Sequence, residues 1–105
     1  MDLDPKDLQE NACKASKLLK ALSNEKRLVI VCLLSRGEKS VGQLEAMVGL
    51  SQSALSQHLA RLRREGFVKT RREAQTIYYS LDNKEAEAVL HCLCDLYNPE
   101  FLNDE

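Results

Sequence analysis

From Leu8 to Leu22, apolar side chains recur at Leu8, Ala12, Ala15, Leu18, Leu19 and Leu22, at spacings of three and four that put them on one stripe of a helix. Ser23 or Asn24 can cap a second helix. In it the run Leu28 to Leu34, LVIVCLL, is apolar all round, as expected of a segment enclosed by the rest of a domain, although its β-branched residues also permit a strand. SRGEK then interrupts the pattern. Ser40, followed three residues later by Gln43, has capping-box spacing, and Val41, Leu44, Met47 and Val48 supply the apolar face of a short third helix of about two turns. Gly49-Leu50 makes a turn. Ser51 can cap a fourth helix running through SQSALSQHLARLRREG, with Leu55, Leu59 and Leu62 facing inward and Gly66 ending it.

After Gly66 the pattern changes to FVKTRREAQTIYYSL, in which β-branched and aromatic residues alternate with polar ones on either side of a charged REAQ tip. That alternation predicts a hairpin. Asp82 with Glu85 three residues on caps a last helix over 83–98, whose Ala86, Val89, Leu90, Leu93, Leu96 and Tyr97 form another apolar face, and 99–105 is a short tail beginning at Pro99. Four helices, a hairpin and a final helix make a mainly α fold with a small β-hairpin, the outline of a winged helix-turn-helix. The 105 residues, 11.9 kDa, suffice for one domain and not two. The first and last helices, 7–22 and 83–98, carry apolar stripes that need cover and that a single small domain has little spare core to provide.

A chain that is 44% hydrophobic and 30% charged, with four Gly and two Pro, is expected to fold, not to stay disordered. No apolar run approaches the ~20 residues of a membrane span, and the start MDLDPKDLQE lacks the features of a signal peptide, so the expected location is cytoplasmic with no membrane partner. The net charge of −1 hides segregation. Residues 51–80 hold six bases (Arg61, Arg63, Arg64, Lys69, Arg71, Arg72) against Glu65 and Glu73, net +4, while 81–105 hold seven acids against Lys84, net −6. A basic middle fits a surface that faces phosphates.

On the fourth helix, inward leucines leave Gln52, Ser53, Ser56 and Gln57 near the start of the opposite face. Glutamine can bond adenine through two hydrogen bonds and serine can donate or accept, so these residues suit base edges in double-stranded DNA. Arg61, Arg63, Arg64, Lys69, Arg71 and Arg72 then follow as phosphate contacts. His58, one turn before Leu62, can touch DNA or pack between helices. No nucleophile stands ready to pair with it, and no enzyme is expected. The other readings are a solvated helix with incidental charge and a winged helix that binds proteins instead of DNA.

Four cysteines in a reducing compartment are not expected to form a disulfide framework, which leaves packing, sensing or metal binding. Cys92 and Cys94 have the look of a chelating pair, but residues two apart on a helix point about 200° apart, so no metal and no cofactor is expected there.

The stretch SVGQLEAMVGLSQSALSQHLARLRREGFVKTRREAQTIYYSL resembles the ArsR family of bacterial winged-helix repressors, and ALSNEKRL, LSQSALSQHLARLR and TRREAQTIYYSL are most similar to the branch containing HlyU, BigR and NolR. The resemblance implies a homodimer built from the first and last helices that releases an inverted-repeat operator when an inducer or oxidant alters it. The family's metal sites are missing: SVGQLEAMVG has no Cys or His, and Lys84 follows Asp82 where a histidine is wanted. The redox- and sulfur-responsive branch implies one thiol in the second helix, matched by Cys32, and a partner near the end of the last helix, where this chain has Asn98. Cys94, one turn earlier on nearly the same face, is the expected substitute, and Cys13 a further candidate. A cysteine in an apolar helix can equally be an inert small hydrophobe.

Overall fold

Each helix starts where a polar side chain can take the place of the missing preceding turn. The computed structural model describes residues 4–97. Helix α1 (Pro5–Leu22) begins three residues earlier than its apolar stripe, because Asp4 accepts from the Lys6 amide at 2.9 Å and Pro5 stands where no amide is needed. Helix α2 (Glu25–Ser35) is capped by Asn24, whose Oδ1 accepts from the amides of Lys26 at 2.9 Å and Arg27 at 3.0 Å. Ser23 instead closes α1, its hydroxyl donating to the Lys20 carbonyl at 2.9 Å. A two-residue strand β1 (Lys39–Ser40) leads into α3 (Val41–Val48), which carries the anticipated capping box: the Gln43 amide donates to Ser40 Oγ at 3.1 Å and the Ser40 amide to Gln43 Oε1 at 2.8 Å. Ser51 accepts from the Ala54 amide at 3.1 Å to open α4 (Gln52–Arg64).

The hairpin consists of β2 (Val68–Glu73) and β3 (Thr76–Leu81), followed by α5 (Lys84–Tyr97). The ladder extends to Glu73↔Thr76, so Arg72 and Glu73 belong to β2 and the tip narrows from REAQ to Ala74-Gln75, with Ala74 at φ 57°. The sheet also has a strand that alternation did not reveal: β1 pairs antiparallel with β3 through Lys39↔Tyr79 and Ser40↔Tyr78, giving the order β1-β3-β2. The cap of α5 is Asn83, accepting from the Ala86 amide at 2.8 Å, and not Asp82. Asp82 is held at the end of the strand, where its amide donates to the Phe67 carbonyl at 2.9 Å and its carboxylate faces Lys69 at 3.9 Å. The tail at 99–105 lies outside the described residues.

The core gathers Ala21 and Leu22 from α1, Ile30, Val31 and Leu34 from α2, Leu44 and Val48 from α3, Leu55, Leu59 and Leu62 from α4, Phe67 and Val68, and Ala86 and Leu90 from α5. Two expectations change. Helix α2 is not enclosed on every side, since Val29 is exposed, and the buried row of α5 is Ala86, Leu90 and Cys94, with Leu96 and Tyr97 outside it. Helix α1 buries only its last two residues, leaving Leu8 50% and Leu19 57% exposed. Among the described residues no helix is long and apolar enough to cross a membrane.

One buried charge joins the first two helices. Arg27 is 8% exposed, and its Nε donates to the Ala21 carbonyl at 2.9 Å while Nη2 donates to that of Lys20 at 3.3 Å. The Lys20 carbonyl also accepts from Ser23, whereas the Ala21 carbonyl lies at the end of α1, where helical partners run out. Arg27→Ala is expected to lower the free energy of unfolding by roughly 1–3 kcal/mol, the cost of leaving a buried acceptor unmet. Urea titration followed by circular dichroism measures this, and an unchanged midpoint would contradict it.

Candidate nucleic-acid interface

The turn between α3 and α4 depends on Gly49, which ends α3 at φ 76°, a conformation that costs glycine little. Across it, α4 is anchored by Leu55, Leu59 and Leu62, all but sealed from solvent. With that side fixed, the helical repeat turns Gln52, Ser53, Ser56 and Gln57 outward, and all four are exposed. The 13 residues of α4 span about 20 Å at the helical rise, and an α-helix is of a width that the major groove admits.

His58 sits at the edge of this face, half-buried. Burial first, then the nearby charges of Arg27 and Arg61, push its pKa down, so at neutral pH it is an uncharged ring with one donor and one acceptor. It thus brings hydrogen-bonding capacity and no charge to the flank of α4.

The six bases of the middle segment fall into two groups. Arg61 Nε donates to Glu65 Oε2 at 2.9 Å one turn along α4, Lys69 faces Asp82, and Arg71 is engaged by two carboxylates. Its Nε and Nη2 donate to Glu38 at 2.8–3.0 Å and its Nη1 to Glu73 at 2.7 Å, with the guanidinium 4.4 Å from the centre of the Tyr78 ring. Arg63, Arg64 and Arg72 are exposed and carry no such pairing among the described residues. Glu38 was not singled out in the sequence, because it lies 33 residues from Arg71 and only the pairing of β1 with β3 brings the two together.

The thiols are all reduced: Cys13 and Cys92 exposed, Cys32 half-buried on α2, Cys94 buried on α5. Burial, and to a lesser degree the charge of Cys94, push the Cys32 thiol up. Cys92 and Cys94 fall on opposite sides of α5, one exposed and one buried. Asn98 lies outside the described residues. Among the described residues, no three His, Cys, Asp or Glu side chains come together as a metal site would require.

Comparison with known proteins places these features in context. Residues 24–70 match the model of the bacterial regulatory protein arsR family. The chain is 53% identical over 91 residues to the transcriptional activator HlyU of Vibrio cholerae, covering 87% of this chain and 84% of that protein. The structure of reduced HlyU from Vibrio cholerae superposes with a TM-score of 0.85 at 52% identity, covering 89% of this chain and 98% of that one. The transcriptional repressor BigR from Xylella fastidiosa gives 0.83 at 39% identity, covering 90% and 97%.

Proposed function

Since the chain belongs to the ArsR family of bacterial regulatory proteins and has their winged helix-turn-helix, it is a DNA-binding transcriptional regulator of repressor type and not an enzyme, and we propose that it reads an inverted-repeat operator as a homodimer through α4 and the hairpin. The observation that carries this reading is the outward face of α4: four exposed small or amide side chains, flanked by Arg63, Arg64 and Arg72, which are exposed and without an acid partner among the described residues. In this reading the glutamines and serines specify sequence, His58 adds a neutral contact at the edge, and the three arginines neutralise phosphates. Binding there either blocks polymerase or displaces another protein, so one contact can serve repression or activation.

The second half of the proposal concerns the partner copy. Leu8, Ala12, Ala15 and Leu19 form an exposed stripe on α1, and Leu96 and Tyr97 remain exposed on α5. We propose that a second copy covers these faces and sets two α4 helices about 34 Å apart, one turn of DNA. The third part is the input. In this proposal a Cys32 thiolate takes a sulfur atom from a polysulfide, releasing the shortened polysulfide. Cys94 can then displace hydrosulfide to leave a disulfide between α2 and α5. A bond of this kind needs Cα atoms within about 7 Å and pulls on the helices that carry them. The competing reading of Cys32 is a packing residue of α2.

Three outcomes are expected. Gln57→Ala should weaken the preferred duplex by about 1–3 kcal/mol more than random DNA, and Arg72→Ala should weaken both alike while reducing the logarithmic salt slope by about 0.9. Equal losses on both duplexes for Gln57→Ala would remove it from base readout, and an unchanged slope would remove Arg72 from the interface. Leu19→Glu should dissociate the dimer in sedimentation equilibrium; a wild-type monomer that binds one half-site at full affinity would refute dimerisation. Cys32→Ser should keep DNA binding and lose the response to polysulfide, and because burial raises this thiol's pKa, the wild-type response should quicken as pH rises from 7. A fully responsive Cys32→Ser protein would put the sensor elsewhere, with Cys13 and Cys92 next to test.

A further inference from the structure

The Arg71 cluster crosses the whole sheet. Arg71 on β2 pairs with Tyr78 on the central β3, and Tyr78 pairs with Ser40 on β1, so these three residues stand in one row across one face. From β2 the guanidinium passes over the Tyr78 ring and reaches Glu38, two residues before Ser40, with Nε at 2.9 and 3.0 Å from the two carboxylate oxygens and Nη2 at 2.8 Å. Glu73, two positions along on the same face of β2, takes Nη1 at 2.7 Å. Hydrogen bonding to Arg71 holds the Glu38 carboxyl below the usual carboxylate range, so Glu38 is charged at neutral pH. One arginine between two carboxylates leaves the group with a net negative charge on a strand whose neighbouring position is the unpaired Arg72.

We propose that Glu38 sets the affinity and salt dependence of the DNA interface: by holding Arg71 across the sheet it withholds this arginine's charge from phosphate. The inference rests on the DNA-binding reading above. Its consequence follows from where affinity comes from. Binding to random sequence is supplied almost wholly by phosphate neutralisation, whereas operator binding adds base contacts. Both share the phosphate contribution, so withholding one cation lowers random and operator binding by about the same factor and makes each less sensitive to salt. Glu38 acts through Arg71 and need touch neither base nor phosphate. The strand ladder holds the hairpin independently of this ion pair, so release of Arg71 leaves the wing in place.

The test uses the full-length protein with a random-sequence duplex and a duplex selected by the wild-type protein from a random pool, in fluorescence anisotropy titrations over a range of salt. Glu38→Gln keeps the side chain's shape and removes its charge. It should bind both duplexes several-fold more tightly, with the logarithmic salt slope steeper by about 0.9, so that a fourfold rise in salt erases about 3.5-fold of the gain. Arg71→Ala should leave the slope unflattened, and the double variant Glu38→Gln with Arg71→Ala should return to the wild-type slope. The proposal is overturned if Arg71→Ala alone flattens the slope by about 0.9, since Arg71 would then already contact phosphate. It is overturned equally if Glu38→Gln weakens binding to both duplexes with no change in slope, which is how a purely structural brace behaves. A wild-type protein without salt-dependent binding to either duplex would defeat the DNA-binding reading and this inference together; salt-dependent wild-type binding with an unaltered Glu38→Gln slope defeats this inference alone.

Discussion

The burial of three leucines on one side of α4 is the constraint from which the rest of the site follows. Leu55, Leu59 and Leu62 have essentially no contact with solvent. A fully buried leucine is worth about 1.5–3 kcal/mol, so together they fix the rotation of the helix about its axis far more firmly than any polar contact on its outer side. A rotation by one residue, about 100°, would expose a leucine and bury a serine or glutamine. The outward face is therefore relieved of any part in stability. Gln52, Ser53, Ser56 and Gln57 can be chosen for what they recognise, and the turn at Gly49 and the cap at Ser51 set where that face begins.

Charge is arranged on the same division of labour. Arg61, Lys69 and Arg71 are matched to acids of the protein itself, and exposed pairs of this kind add little stability. Arg63 and Arg64 at the end of α4 and Arg72 on the wing are exposed without such pairing among the described residues. The acid-rich final segment lies on and beyond α5, away from the reading helix in sequence. That is how a chain with a net charge of −1 can still present a cationic edge to phosphates.

What was legible in the sequence was local. The capping box at Ser40 and Gln43, the cap at Ser51, the leucine spacing of α4 and the divergence of Cys92 and Cys94 all depend on residues within a turn or two of each other, and each appears in the structure as read. The misreadings came from contacts across the fold. Asp82 has the spacing of a cap, yet the strand ladder claims its backbone and leaves the role to Asn83. Strand β1 is two residues long and has no periodicity to read. Arg27, which nothing near it in sequence sets apart, is drawn inward by carbonyls at the end of the preceding helix. The pairing of Arg71 with Glu38 is equally silent in the sequence, since 33 residues separate the two.

The central claim is that the outward face of α4 and the tip of the wing are the surfaces that meet DNA. Backbone amide chemical shifts, recorded while the protein is titrated with a duplex selected from a random pool, test it most directly. The account predicts that the largest changes fall at Gln52–Gln57 and around Arg72, with the exposed stripe of α1 little affected. Changes concentrated on α1 and α5, with α4 and the wing unmoved, would contradict it.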